Sequence, residues 1–129
     1  MRFAVILLWI TGVLFVGFGV GFVIAPRELA QFLTGGAPVT PSAVIDMRAV
    51  YGGVALGMGL FFGVCATRAE WVRPGLLGSL LVIACIGAGR AVGLIVDGKP
   101  NAFMLAFLAT EVVSVGLIAR ALRQLPAGG

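Results

Sequence analysis

Four ionisable side chains stand inside runs that are otherwise almost wholly apolar: Asp46, Arg48, Arg90 and Glu111. A charge near the centre of a membrane helix costs about 2.5–3.5 kcal/mol even on the mild insertion scale, so such residues face the bundle interior, pair with one another and mark sites. At about 1.5 Å per residue, Glu111 lies roughly 15 Å beyond Asn101 and Arg90 roughly 9 Å before Val96. Arg48 falls a turn or two inside its own helix, with Asp46 shallower. The long arginine stem can close the remaining axial gap to Glu111. Two acids against two bases leave no net charge, which predicts a neutral polar cluster built from three helices. At about 100° per residue, Asp97 and Ser79 share the Arg90 face, Met104, Phe107, Leu108, Ser114 and Val115 share the Glu111 face, and Tyr51, Gly52, Ala55 and Gly59 share the Arg48 face. The residues Asp46, Arg48, Tyr51, Arg90, Asp97 and Glu111 then describe a cavity with charged walls, one phenol and an apolar floor.

Two readings of that cluster stand side by side. In one, the charges are internal staples that fix helix register. In the other, the planar guanidinium fork holds an anionic or carbonyl head group while the apolar floor takes its tail, as a phospholipid or an isoprenoid quinone requires. Glu111 then serves as a proton relay.

Other chemistries lack their residues. The chain has no histidine, which removes His-ligated zinc, bis-His haem and imidazole acid–base catalysis. Cys65 and Cys85 form no CxxC pair and read as small apolar packing residues. The run Gly17-Phe18-Gly19-Val20-Gly21 is not a nucleotide loop, because no strand precedes it and it lies within an apolar span. No metal or cofactor is expected beyond a bound lipid or quinone.

The elements that must position these residues follow from composition. Of 129 residues, 60% are hydrophobic and 11% charged, against about 45–50% and about 25% in a soluble domain. With a mean hydropathy of +1.14, neither a soluble globule nor a disordered chain fits. An all-α integral membrane bundle does, as a single domain over residues 1–129. Four spans of about 20 apolar residues are expected, at 3–25, 42–67, 74–96 and 101–119. The first is read as a retained span rather than a signal peptide, since its apolar run is long and Pro26 follows directly.

The segment 26–40 has order of its own. Leu29, Phe32 and Leu33 fall at i, i+3 and i+4, which predicts a short amphipathic helix on the membrane interface. Thr34-Gly35-Gly36 ends it, and Thr40-Pro41 reads as the cap and first turn of the second span. The net charge of +4 belongs to membrane orientation rather than nucleic acid. Arg2, Arg68, Arg73, Arg120 and Arg123 lie on one side, while Arg27 and Lys99 lie on the other with Arg48 just inside. This places both termini in the cytoplasm. Trp71 reads as an interfacial anchor.

Helices in lipid associate by close backbone packing rather than by the hydrophobic effect, and small residues allow that approach. Gly17 and Gly21, Gly53 and Gly57, Gly59 and Gly63, and Gly89 and Gly93 stand in small-xxx-small spacing, which assigns these eight glycines to helix packing. The surplus glycine faces suit a homo-oligomer or docking into a larger membrane complex.

The run Asp46-Met47-Arg48-Ala49-Val50-Tyr51-Gly52-Gly53, followed by Gly57 and Gly59, resembles the hallmark of a bacterial domain-of-unknown-function family of four-span proteins of this length. Gly89-Arg90, Asp97-Gly98 and Glu111 match the same pattern, so the resemblance covers nearly the whole chain, with the DxRAxYGG element its most specific part. The architecture is also broadly similar to the DoxX-like membrane proteins, some of which are linked to quinone-dependent oxidation. The expectation is a bacterial inner-membrane accessory or scaffold subunit with a lipid- or quinone-binding polar pocket in the outer half of the bundle. The alternatives are a component of a quinone-linked oxidoreductase and a small transporter.

Overall fold

The computed structural model describes residues 1–126, and these form helices joined by short connections with no strand among them. Helix α1 runs Arg2–Ile24. It stops because Pro26 disfavours the helical conformation at the residue before it. Ala25 accordingly sits at φ −131°, its N–H still donating to Gly21 O at 2.8 Å. Pro26 then occupies the first position of α2, Pro26–Thr34, where its missing N–H costs nothing. Gly35 closes α2 in the left-handed region at φ 82°, which a side chain would strain. Thr40 caps the next helix by accepting from Ala43 N–H at 3.2 Å, with Pro41 at its first position.

The second span is one continuous rod of three parts: α3, Pro41–Met47, a π-helical segment, Arg48–Val54, and α4, Ala55–Ala66. Helix α5 runs Ala69–Val96 and α6 runs Ala102–Gln124, the latter capped by Asn101 Oδ1 accepting from Met104 N–H at 3.0 Å. Four helices, Arg2–Ile24, Pro41–Ala66, Ala69–Val96 and Ala102–Gln124, are long and apolar enough to cross a membrane. The third begins at Ala69, before the expected 74. Pro74 lies within its second turn, where it withholds the N–H that the Glu70 carbonyl would otherwise receive.

Helix α1 packs along the second span, α4 also meets α5, and α6 lies chiefly on α5. The dense core sits at the end carrying both termini. Ala4 and Leu8 of α1, Phe62 and Cys65 of α4, Val72 and Leu76 of α5 and Ile118 and Ala121 of α6 are all sealed there.

The glycine register differs from the small-xxx-small expectation. The α1 crossing uses Gly12 and Gly19 against Gly52 and Gly59. A Cβ built on Gly19 would meet Leu56 N at 2.4 Å and Gly52 O at 2.7 Å, and one on Gly59 would meet Val16 N at 2.6 Å. Four of these backbone approaches recur every seven residues, so the helices stay in contact over two long turns. Of the eight glycines assigned to packing, Gly59 alone meets backbone of another helix inside 3 Å. Gly17, Gly57 and Gly89 face open space, Gly53 and Gly93 have only neighbours in their own chain segment, and Gly21 and Gly63 touch the side chains of Leu29 and Trp9.

Candidate functional site: the Arg90–Glu111 niche

The structure brings Arg90 and Glu111 together. Helices α5 and α6 run side by side, and the stripe Met104, Phe107, Leu108, Glu111, Ser114 and Val115 turns inward. Arg90 Nε donates to both Glu111 oxygens at 3.0 Å, and Nη2 donates to Oε1 at 2.8 Å. Two donors thus converge on Oε1 while Nε is shared between both oxygens, a multidentate charge-assisted contact. Gly87 lies alongside: a Cβ there would stand 3.4 Å from Glu111 Cβ and 3.5 Å from Oε2, an ordinary van der Waals contact. The side chains are 21% and 12% exposed, so the pair is largely but not wholly closed off.

The other edge of the guanidinium has a softer environment. Nη1 donates to the thioether Sδ of Met104 at 3.3 Å, and the Phe107 ring lies under the guanidinium carbon at 5.2 Å. Thioether sulfur is a weak acceptor on a flexible chain. Aromatic rings then continue outward, Phe107 to Phe103 at 6.3 Å and Phe103 to Phe32 of α2 at 5.0 Å. Asn101 fastens this wall, because its Nδ2 donates to Leu33 O at 2.8 Å while its Oδ1 caps α6. Helix α2 is thereby tied across the end of the bundle opposite the termini, from α1 to α6.

The six-residue cluster does not form as one cavity. Arg48 Nη1 donates to Val23 O, and to Ile24 O at 3.2 Å, at the C-terminal end of α1. There it satisfies carbonyls the helix leaves free and sits against the negative end of its dipole. Tyr51 stacks beside Phe22 of α1 with centroids 5.4 Å apart. Asp46 and Asp97 are exposed, and Arg90–Glu111 is the one ion pair among the described residues. The difference is in the partner: Arg48, Tyr51, Gly52 and Gly59 all meet α1. The second span lays that face on α1, while Arg90 and Glu111 meet between α5 and α6. Met104 and Phe107, which the sequence placed only on the Glu111 face, are the residues that complete the niche.

Residues 3–122 match the family described as a domain of unknown function, DUF4345, and the chain belongs to that family. No curated protein and no solved structure matches the chain.

Proposed function

We propose that this protein is an integral membrane accessory or scaffold subunit that holds a neutral, carbonyl-bearing lipophile, an isoprenoid quinone by preference, at Arg90. One observation carries the reading: the guanidinium edge turned away from Glu111 meets only a thioether and an aromatic face. Inside a bilayer an N–H without an oxygen acceptor is costly, and a flexible methionine yields its place cheaply. Charge selects the ligand. Glu111 already neutralises Arg90, so a phosphate arriving here would face a carboxylate with no free cation, whereas a carbonyl oxygen adds no charge. The rings of Phe107, Phe103 and Phe32 offer a path for a flat head group and its tail.

The remaining parts of the proposal concern placement. Both termini and the connection at Thr67 and Arg68 lie on the cytoplasmic side of a bacterial inner membrane, which leaves the niche in the outer half. Helix α2 lies along the outer interface. It buries Pro26 and Ala30 and exposes Arg27, Glu28 and Gln31. The subunit role draws on Gly17 and Gly57, which meet nothing within the chain and leave bare backbone for a neighbouring helix.

The test adds a short-chain isoprenoid benzoquinone to detergent-solubilised protein and counts the bound molecules by native mass spectrometry. Wild type is expected to retain one quinone per chain and R90L/E111M none. Equal retention by a folded R90L/E111M variant would sink the reading.

A further inference from the structure

The opposite end of the bundle holds a second set of unused polar groups. A cleft of about 350 Å³ between α5 and α6 is lined by Glu70, Arg73, Pro74, Leu77 and Leu122. Glu70 and Arg73 stand one helical turn apart, yet no ion pair joins them. Glu70 brings a carboxylate to the cleft lining, and its backbone carbonyl lacks the helical donor that Pro74, four residues on, cannot supply. Leu77 and Leu122 continue the cleft inward along the spanning helices.

Depth gives these groups a setting. Helix α5 has 28 residues, a length of about 42 Å at about 1.5 Å per residue. The hydrocarbon core is about 30 Å thick, and about 40–45 Å including the head groups. The first turns of α5 therefore lie at head-group level, with Leu77 at the start of the acyl region. Beside the cleft, the Arg68 guanidinium lies 4.9 Å over the Trp71 ring, the contact of an interfacial anchor.

We propose that this cleft is a binding site for a phospholipid with a zwitterionic phosphoethanolamine head group. The primary ammonium donates to the Glu70 carboxylate and to the carbonyl freed by Pro74. The phosphate receives the Arg73 fork, and an acyl chain lies along Leu77 and Leu122. A phosphocholine head group has no N–H to offer these acceptors, and a phosphoglycerol head group leaves the Glu70 carboxylate without a cation. This site is independent of the Arg90 niche at the other end.

The test places the protein in nanodiscs of equimolar phosphatidylethanolamine, phosphatidylcholine and phosphatidylglycerol with identical acyl chains, then counts co-released lipids by native mass spectrometry. Phosphatidylethanolamine is expected to be retained most. E70Q should cut its preference over phosphatidylcholine about tenfold, the size of one charge-assisted hydrogen bond. R73Q should weaken retention of all three. P74A, which restores the helix N–H and disturbs no packing contact of the core, should reduce the same preference by a smaller factor. Glu70 and Arg73 are exposed, so these variants keep the fold. Retention ordered by net charge alone, with phosphatidylglycerol first, or a preference unmoved by E70Q, would overturn the proposal.

Discussion

Glu111 is held from the facing helix by one side chain. Arg90 reaches its carboxylate through both Nε and Nη2, while Gly87 lies alongside at ordinary van der Waals distance. The sequence made the pairing legible because two opposite charges in apolar helices have few other partners. It could not show which arginine would answer, because Arg48 had an equal claim by type and depth. The structure separates them by partner: Arg90 answers a carboxylate and Arg48 answers the carbonyls of a helix end. Their variants should differ accordingly. R90L alone leaves an unpaired carboxylate in the bundle and should lower stability by about 3 kcal/mol, with E111M similar. R90L/E111M together should recover most of that loss, read by thermal unfolding in detergent followed by circular dichroism. Two single variants that melt with wild type would show that the pair contributes nothing. R48A removes a cation from the α1 C-terminus and should cost about 0.5–1 kcal/mol in the same assay, with quinone retention unchanged. Loss of quinone on R48A would instead join Arg48 to the niche.

Between elements, the informative feature is a change of helix type within one rod. The DxRAxYGG stretch reads as helix by every compositional sign, and helix it is. Its π-helical turns are invisible to hydropathy because widening a helix changes no residue's polarity. The spans were legible, but not the partner of the Arg48 and Tyr51 face, which meets α1 rather than the α5–α6 pair. The glycines teach a related lesson. Spacing of four is common in this chain, but the α1 crossing runs through Gly12, Gly19, Gly52 and Gly59, where backbone meets backbone. Glycine content alone says that helices approach closely; only the crossing geometry says which glycines touch. G19A should therefore force the helices apart and cost about 1–3 kcal/mol as an overpacked contact. G17A meets nothing within 4 Å and should be neutral or gain up to about 1 kcal/mol from better helix propensity. Comparing the two by denaturant titration in detergent distinguishes the seven-residue register from the four-residue one. Equal losses would restore Gly17 to the interface.

Taken whole, the molecule is packed unevenly. Leu8, Phe62, Val72, Leu76 and Ile118 are sealed at the end with the termini, while the charged pair and its aromatic wall occupy the other end, spanned by α2. A bundle closed at one end and propped at the other by a short helix keeps the Arg90 niche at the propped end, apart from the cleft beside Glu70 and Arg73. Orientation then decides which side of the membrane that ligand comes from. The basic residues of the terminal end are Arg2, Arg68, Arg73, Arg120 and Arg123, while the other end has Arg27, Arg48 and Lys99. Arg48 is bonded to the α1 carbonyls, so it weighs less in the balance that fixes topology, and the terminal end should face the cytoplasm. Single cysteines on a C65A/C85A background read this directly. Replacements at Gly36 and Pro100, in the two connections beside α2 and α6, should react with a membrane-impermeant maleimide in intact spheroplasts. Replacements at Ala69 and Pro126 should react only after permeabilisation. The reverse pattern would move the niche to the cytoplasmic half, and labelling of all four from one side would contradict four crossings. With the expected pattern, the proposed ligand would reach Met104 and Phe107 sideways from the outer leaflet rather than from water.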